Sequence, residues 1–393
     1  MRYRISWIGT ATLLMLSRCS NVAIMDLANQ DLVAPSAVTQ FKASTGTNQI
    51  SLRWVNPADK DFKSVRIVRK AAGYPSSPSD GTIIYEGADA AATDTSTTNL
   101  TEYYYNAYAM DSSANLSTPA KSKSASCSAS IVCPSGYILV GANETVNAYC
   151  QFCVAQYEMK NVGGVATSQA ASAPWASVTQ ADARIQCSAV GSGYHLLTNA
   201  ERMAIAREIE NTAANWSSGT IGTGYVNRGW SANATRGDSW SNTTVAASTA
   251  AGCLYNTAAD TCAGAGTHTF KRTHILTGGG TLWDFSGNVA EYIDWTVEAK
   301  DLAYSFGPIT ANNYEFTGVN AGTGMPVETW RPGNTLYDST YGIGLYATGG
   351  GSITAARVFG SFDDGIWSGI YGLAMGSLTA SNSRIGFRCA YAQ

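Results

Sequence analysis

The sequence predicts a multidomain chain: an all-β sandwich over residues 35–125, then an α+β domain with much loop over 126–393. Three observations predict it. Short alternating apolar stretches separated by turn residues fill the first part. Two capped helical stretches then stand among many short strands. Between the two parts lies a serine-rich linker, "KSKSASCSAS".

Composition narrows the class. Charged residues are 13% of the 393, with 25 Lys and Arg against 28 Asp and Glu, and no basic cluster offers a footprint for nucleic acid. Apolar residues reach 45%, which excludes a disordered chain. A chain poor in charge and rich in Ser, Thr, Asn, Gly and Tyr reads as an extracellular surface protein.

The N-terminus, "MRYRISWIGTATLLMLSRCS", has a basic start at Arg2 and Arg4, an apolar stretch from Ile5 to Leu16, and then Cys19. It is too short to span a bilayer, which takes roughly twenty apolar residues, and reads as an export signal over 1–19. Cys19 is a candidate for lipid attachment, although Arg18 stands where such a signal carries a small residue. Plain signal cleavage is the alternative. Residues 20–34 then form a polar tether.

In the first unit, Ile50, Leu52 and Trp54 alternate, as do Val65, Ile67 and Arg69. The turn-rich "NPADKD" and "GYPSSPSDG" follow these runs, and "TIIYEG" and "TEYYYNAYAMD" supply further short strands. Several strands with no helical segment predict a sandwich. These residues resemble a fibronectin type III domain, carried by Trp54 and by "DTSTTNLTEYYYNAYAMDSSANLS". The resemblance implies that Tyr103 closes a corner while Tyr105, Ala107 and Ala109 point into the core. No catalytic constellation is visible, so the unit reads as a spacer.

In the second unit, "VTQADARIQCSAVG" starts with Thr179 and carries Asp182 three residues on, a capping-box-like start. Ala181, Ile185 and Ala189 recur at helical spacing, and Gly191 is a stop signal. "TNAERMAIAREIEN" repeats the arrangement with Thr198 and Glu201, placing Ala206 and Ile209 on one face. Setting Cys19 aside leaves eight cysteines in an exported chain, which predicts four disulfides. Cys150 and Cys153 form a C-x-x-C, but no second one completes a zinc site. Cys253 and Cys262 suit a local loop clasp, and pairing among Cys127, Cys133, Cys150 and Cys153 is open.

"DARIQCSAVGSGYHLLTNAERMAIAREI", "LWDFSGNVAEYIDW" and "RIGFRCA" resemble the signature stretches of the formylglycine-generating enzyme, or sulfatase-modifying factor, family. The resemblance covers most of residues 130–393 and implies an elaborated C-type-lectin fold. Leu197 departs from the family's Pro, and Arg202, Ala290 and Tyr292 from its Trp. Cys389, in the closing stretch, then pairs with Cys187 on the first helix. The family's copper enzymes hold the ion with two cysteines in their last conserved segment, as Cu(I) requires. Here Arg357 to Ser383 contains none, and His195, His268 and His274 form no facial triad. Catalysis of that type is not expected, nor is a catalytic metal. The resemblance does imply a structural calcium ion, held by the carboxylates of Asp284 and Glu291 and the carbonyls of Gly287 and Val289. Turn amides satisfied by the two carboxylates are the simpler alternative.

The tail carries "GSFDDGIWSGIYGLAMG", with glycines at 360, 365, 369, 372 and 376 and a sixth at 386. Glycines so spaced allow tight turns that present side chains outward. Consecutive Ile-Trp and Ile-Tyr pairs cannot all face inward from a strand of period two. Phe362, Asp363, Asp364, Ile366, Trp367, Ile370, Tyr371, Met375 and Ser377 are therefore candidate ligand contacts, with Leu373 and Phe387 expected in the core and Ile370 assignable to either. The segment 357–389 resembles the variable region of retroelement-diversified proteins built on this lectin fold. Most of these positions fall within the residue set that adenine-directed mutagenesis of AAC codons produces; Trp367 and Met375 do not.

The function expected is display of a ligand-binding surface by an exported, non-catalytic protein. Its partner would be a macromolecule, a protein on a cell surface, and its only membrane link a lipid anchor at Cys19. A thiol-oxidising enzyme and a structural envelope lipoprotein are the alternatives. No calcium-binding Glu-Pro-Asn tripeptide of sugar-binding lectins occurs, and the six N-x-S/T sequons, Asn99 and Asn233 among them, matter only in a glycosylating host.

Overall fold

The computed structural model describes residues 31–229, 231, 271–298, 313–314, 316, 331–347, 353–358 and 360–393. The chain divides into two compact units. One runs to Thr97 and includes Thr101–Ser124; the other comprises Thr98–Leu100 and Ala125–Gln393. Cys19 with its signal, Cys253, Cys262, His268 and Asn233 lie outside the described residues.

Among the described residues, seven strands build the first unit: β1 (Thr39–Gly46), β2 (Gln49–Val55), β3 (Phe62–Lys70), β4 (Thr82–Gly87), β5 (Ala91–Asp94), β6 (Glu102–Asp111) and β7 (Ala120–Ala125). They form a three-stranded sheet, β1-β2-β5, and a four-stranded sheet, β4-β3-β6-β7. Two sheets of this kind make the expected all-β sandwich. Strand periodicity decides which residues fill it. Ile50, Leu52, Trp54, Val65, Ile67, Tyr105, Ala107 and Ala109 are all buried in one cluster, each large side chain contributing about 1.5–3 kcal/mol. Trp54 lies 5.2 Å from the Tyr85 ring. The Tyr105 hydroxyl donates to Asp94 Oδ2 at 2.8 Å, and Arg69 reaches the same oxygen at 2.7 Å. Arg69 also lies over the ring of Tyr103, 4.4 Å from its centroid.

The second unit contains β8 (Tyr137–Val140), β9 (Phe152–Ala155), β10 (Met159–Val162), β11 (Val165–Ser168), α1 (Gln180–Ser188), β12 (Tyr194–Leu196) and α2 (Asn199–Glu210). It continues through β13 (Thr273–Ile275), β14 (Thr281–Trp283), β15 (Ala290–Glu298), β16 (Asn313–Tyr314), β17 (Tyr346–Ala347), β18 (Ile353–Val358), β19 (Leu373–Gly376), β20 (Ile385–Phe387) and β21 (Cys389–Tyr391). Among the described residues the largest sheet has the order β16-β17-β19-β18-β15-β20. A four-stranded sheet runs β12-β21-β9-β8.

Both helices begin with full capping boxes, Thr179 with Asp182 and Thr198 with Glu201. Ala206 and Ile209 of α2 are buried as their spacing requires. Helix α1 faces the other way from its expected stripe. Gln180, Ala183 and Cys187 turn inward, whereas Ile185 is 62% exposed. The cause is a pair of specific attachments: Gln180 Nε2 donates to the carbonyls of Ile293 and Trp295, and Cys187 is bonded to Cys389.

The Cys187–Cys389 pairing is as expected. The open set resolves as Cys127–Cys150 and Cys133–Cys153, so the C-x-x-C cysteines clasp two different partners. No helix of the described residues is long and apolar enough to cross a membrane.

Candidate functional site

The tail segment leaves β18, makes a 3-10 turn over Gly365–Trp367, and returns along β19. Its glycines bring backbone close to backbone. A Cβ on Gly369 would lie 2.1 Å from the nitrogen of Gly344, and Gly360 has φ +144 beside the nitrogen of Gly287. The amides of Tyr371 and Leu373 donate to the carbonyls of Ile343 and Leu345 at 2.9 and 3.0 Å. This close docking folds the segment into the unit rather than out of it.

Four candidate contacts are therefore corrected. Ile370 and Tyr371 are fully buried, and Met375 and Phe362 nearly so. The alternation argument fails at Ile370–Tyr371 because these residues lie in a turn, where no period of two applies. Leu373 and Phe387 are in the core, as expected. The Tyr371 hydroxyl donates a hydrogen bond to Glu210 Oε2. The same carboxylate receives the amides of Gly333 and Asn334 at 2.9 and 3.0 Å. Burial, and then the Glu210 charge, push the Tyr371 phenol far above its ordinary range.

Arg202 is fully buried on α2. Its Nη2 donates to the carbonyls of Gly372 and Ile370 at 3.1 and 3.4 Å. Burial lowers its guanidinium to about 10. Asp364 is also a scaffold residue: its Oδ2 accepts from the amides of Ser361 and Gly360 at 2.7 and 3.2 Å.

Other candidates lie at the surface. Asp363 and Trp367 are half-buried and Ser377 is exposed. The Ile366 side chain lies outside the described residues. Asp363 pairs with Arg384 at 2.5 Å, and Arg384 lies over the Phe362 ring, 5.9 Å from its centroid. Ser377, the half-exposed Leu378, Thr379 and residues 381–384 continue this surface.

The expected calcium ligands lie in a different environment from the one a cation needs. Asp284, 1% exposed, is gripped by Arg272 through both carboxylate oxygens. Glu291, 2% exposed, is gripped by Arg388, whose Nη2 lies 2.7 Å from Oε1. Arg388 also donates to the carbonyls of Ala155, Trp283 and Asp284. At Val289 the amide N–H points to Glu158 Oε1 at 3.1 Å. Two guanidinium groups occupy the positions that Ca²⁺ would neutralise, so the donor set does not fit the ion. Gly287, with φ +87, shapes the turn.

Beside these pairs lie Glu158 and Lys160, both fully buried. Their alternation with apolar neighbours in "YEMKNV" reads as a solvent face, so sequence periodicity misses them. In the first unit, Asp31, Asp61 and Asp111 bring carboxylate oxygens within 4.8 Å of one another. The Asp111 carboxylate already accepts from the amides of Ser113 and Asn115 and from Asn115 Nδ2.

Each described histidine is held through its Nε2. His195 Nε2 bonds Glu201 at 2.8 Å, and buried His274 bonds the Asn227 carbonyl at 3.1 Å. Burial lowers His274 to about 4.

No family model matches the chain. No curated protein matches it either. Among solved structures, a Fn3-like protein from Clostridium thermocellum is 21% identical, covers 26% of this chain and 100% of its own, and has a TM-score of 0.20. The spore cortex lytic enzyme SleM of Clostridium perfringens is 18% identical over 23% of this chain and 27% of its own, with a TM-score of 0.19. Domains d3-d4 of the rat CD45 extracellular region are 13% identical over 24% of this chain and 50% of their own, with a TM-score of 0.20. The chain thus spans about a quarter of the length of SleM and half of the CD45 d3-d4 chain.

Proposed function

We propose that the chain is an exported, non-catalytic binding protein, in which a fibronectin type III spacer precedes a head of C-type-lectin type related to the formylglycine-generating enzyme scaffold. The ligand is a protein at a cell surface. It meets the outer edge of the tail segment: Asp363, Trp367, Ser377 and the neighbouring 378–384 loop. The residues that face inward from the same segment hold that edge in place.

One observation carries the reading: a single stretch is anchored through Arg202, Glu210 and the Ile343–Leu345 backbone, yet leaves an aromatic, an acid and a hydroxyl at the surface. Anchoring lowers the ordering cost of recognition. Export is supported by the basic-apolar N-terminus and by three disulfides, which persist in oxidising compartments. The non-catalytic reading is supported by the lack of a cysteine from Arg357 to Ser383. Retroelement diversification of 357–389 belongs to the same proposal; an adenine-rich near-copy of that coding segment beside a reverse transcriptase gene is its genetic signature.

The test is an array of purified extracellular protein domains probed with the full mature chain. Binding to one or more members should be lost in Trp367→Ala and Ser377→Arg and retained in Ile185→Ala, an exposed position on α1. Binding that survives both tail substitutions overturns the proposed surface.

A further inference from the structure

Glu158, immediately before β10, and Lys160, within it, have no exposed surface. Lys160 Nζ makes no hydrogen bond and lies 3.8 Å from Glu158 Oε2. That same oxygen accepts from Nδ2 of fully buried Asn288 at 2.5 Å. One carboxyl oxygen thus neighbours both a primary amine and a carboxamide, away from water. Asn288 is held in place from two sides. Its carbonyl accepts from the Phe362 amide at 3.0 Å, and the next amide, that of Val289, donates to the other Glu158 oxygen at 3.1 Å.

The chemistry of these three groups is specific. A desolvated amine favours its neutral, nucleophilic form, and a desolvated carboxyl favours its protonated form. The neighbouring acids Asp284 and Glu291 are each engaged by an arginine, which leaves Glu158 as the acid facing the amine. A protonated carboxyl bonded to an amide is placed for general acid-base work.

We propose that the folded chain joins Lys160 to Asn288 through an isopeptide bond, with Glu158 carrying the protons. The Nζ lone pair attacks Cγ of Asn288, forming the Nζ–Cγ bond. Glu158 donates its proton toward the carboxamide and recovers one from Nζ. The Cγ–Nδ2 bond breaks and ammonia leaves. A primary amide and an amine become a secondary amide and ammonia, with no change of oxidation state and no cofactor. The product ties β10 to the loop ahead of β15, a connection that no disulfide of the described residues makes. It goes beyond the display function and is independent of it.

The experiment is peptide mapping of the full exported chain after reduction, alkylation and tryptic digestion. A branched peptide should join the Lys160 segment to the Asn288 segment, lighter by one ammonia than the two linear peptides together. Glu158→Gln should abolish it, as should Lys160→Arg. Linear peptides only, with Lys160 unmodified in wild type, overturn the bond and leave Lys160 as a buried counter-ion. A branched peptide persisting in Glu158→Gln overturns the role of Glu158. The wild-type digest decides the bond alone, so poor folding of a variant does not blur the result.

Discussion

The hydroxyl of Tyr371 donates to the carboxylate of Glu210 across 161 residues of sequence, joining the tail segment to the last turn of α2. Tyr371→Phe removes one charge-assisted hydrogen bond while keeping the ring, so it should cost about 1.5–3 kcal/mol. Tyr371→Ala also opens a cavity and should cost about 3–5 kcal/mol. Urea unfolding checks both; a cost for Tyr371→Phe near zero contradicts the anchoring role.

Arg388 is the second buried anchor, with Glu291 and three backbone carbonyls as its partners. Arg388→Met leaves the Glu291 carboxylate buried without its counter-charge and should destabilise by about 3–5 kcal/mol. Added calcium should not restore the melting temperature of this variant. Restoration would show that the site accepts a metal ion after all.

His195 gives a pH signature. Burial disfavours its charge, but the Glu201 carboxylate outweighs this and raises the imidazole to about 9. Because the folded value lies above the unfolded one of about 6.5, the pair stabilises fully below that pH. The contribution is lost as pH rises toward 9. With the ring part-exposed, it should amount to on the order of 1 kcal/mol. The stability of wild type should fall between these values relative to His195→Gln; parallel pH profiles contradict the pairing.

The Cys187–Cys389 bond joins α1 to the final strand, its ends 202 positions apart in sequence and both cysteines buried. The double variant Cys187→Ala/Cys389→Ala should lose about 2–5 kcal/mol. Thermal unfolding in the absence of reductant reads it, and an unchanged transition argues against the cross-link.

The sandwich was legible because period-two burial is a local property: Ile50, Leu52 and Trp54 can point only one way once β2 exists. The helix starts at Thr179 and Thr198 were legible for the same reason, since capping is decided within four residues. The inward face of α1 was not, because Ala181 and Ile185 compete with Gln180 and Cys187, whose partners lie far away in sequence. The inward direction of Tyr371 is not legible locally, because it depends on Gly369 meeting Ile343 and Gly344. The glycines that suggested outward display are the ones that permit inward docking. Glu158 and Lys160 look like a wetted strand face until Arg272, Arg388 and Asn288 close around them.

In the proposed function, the inward face of one segment holds it in place and its outward face recognises the ligand. Unfolding free energies of Trp367→Ala and Tyr371→Ala, measured side by side in the full chain, test it most directly. Trp367→Ala should cost well under half as much as Tyr371→Ala, whose loss should be about 3–5 kcal/mol. Equal losses at the two positions would make Trp367 a core residue and overturn the proposed surface.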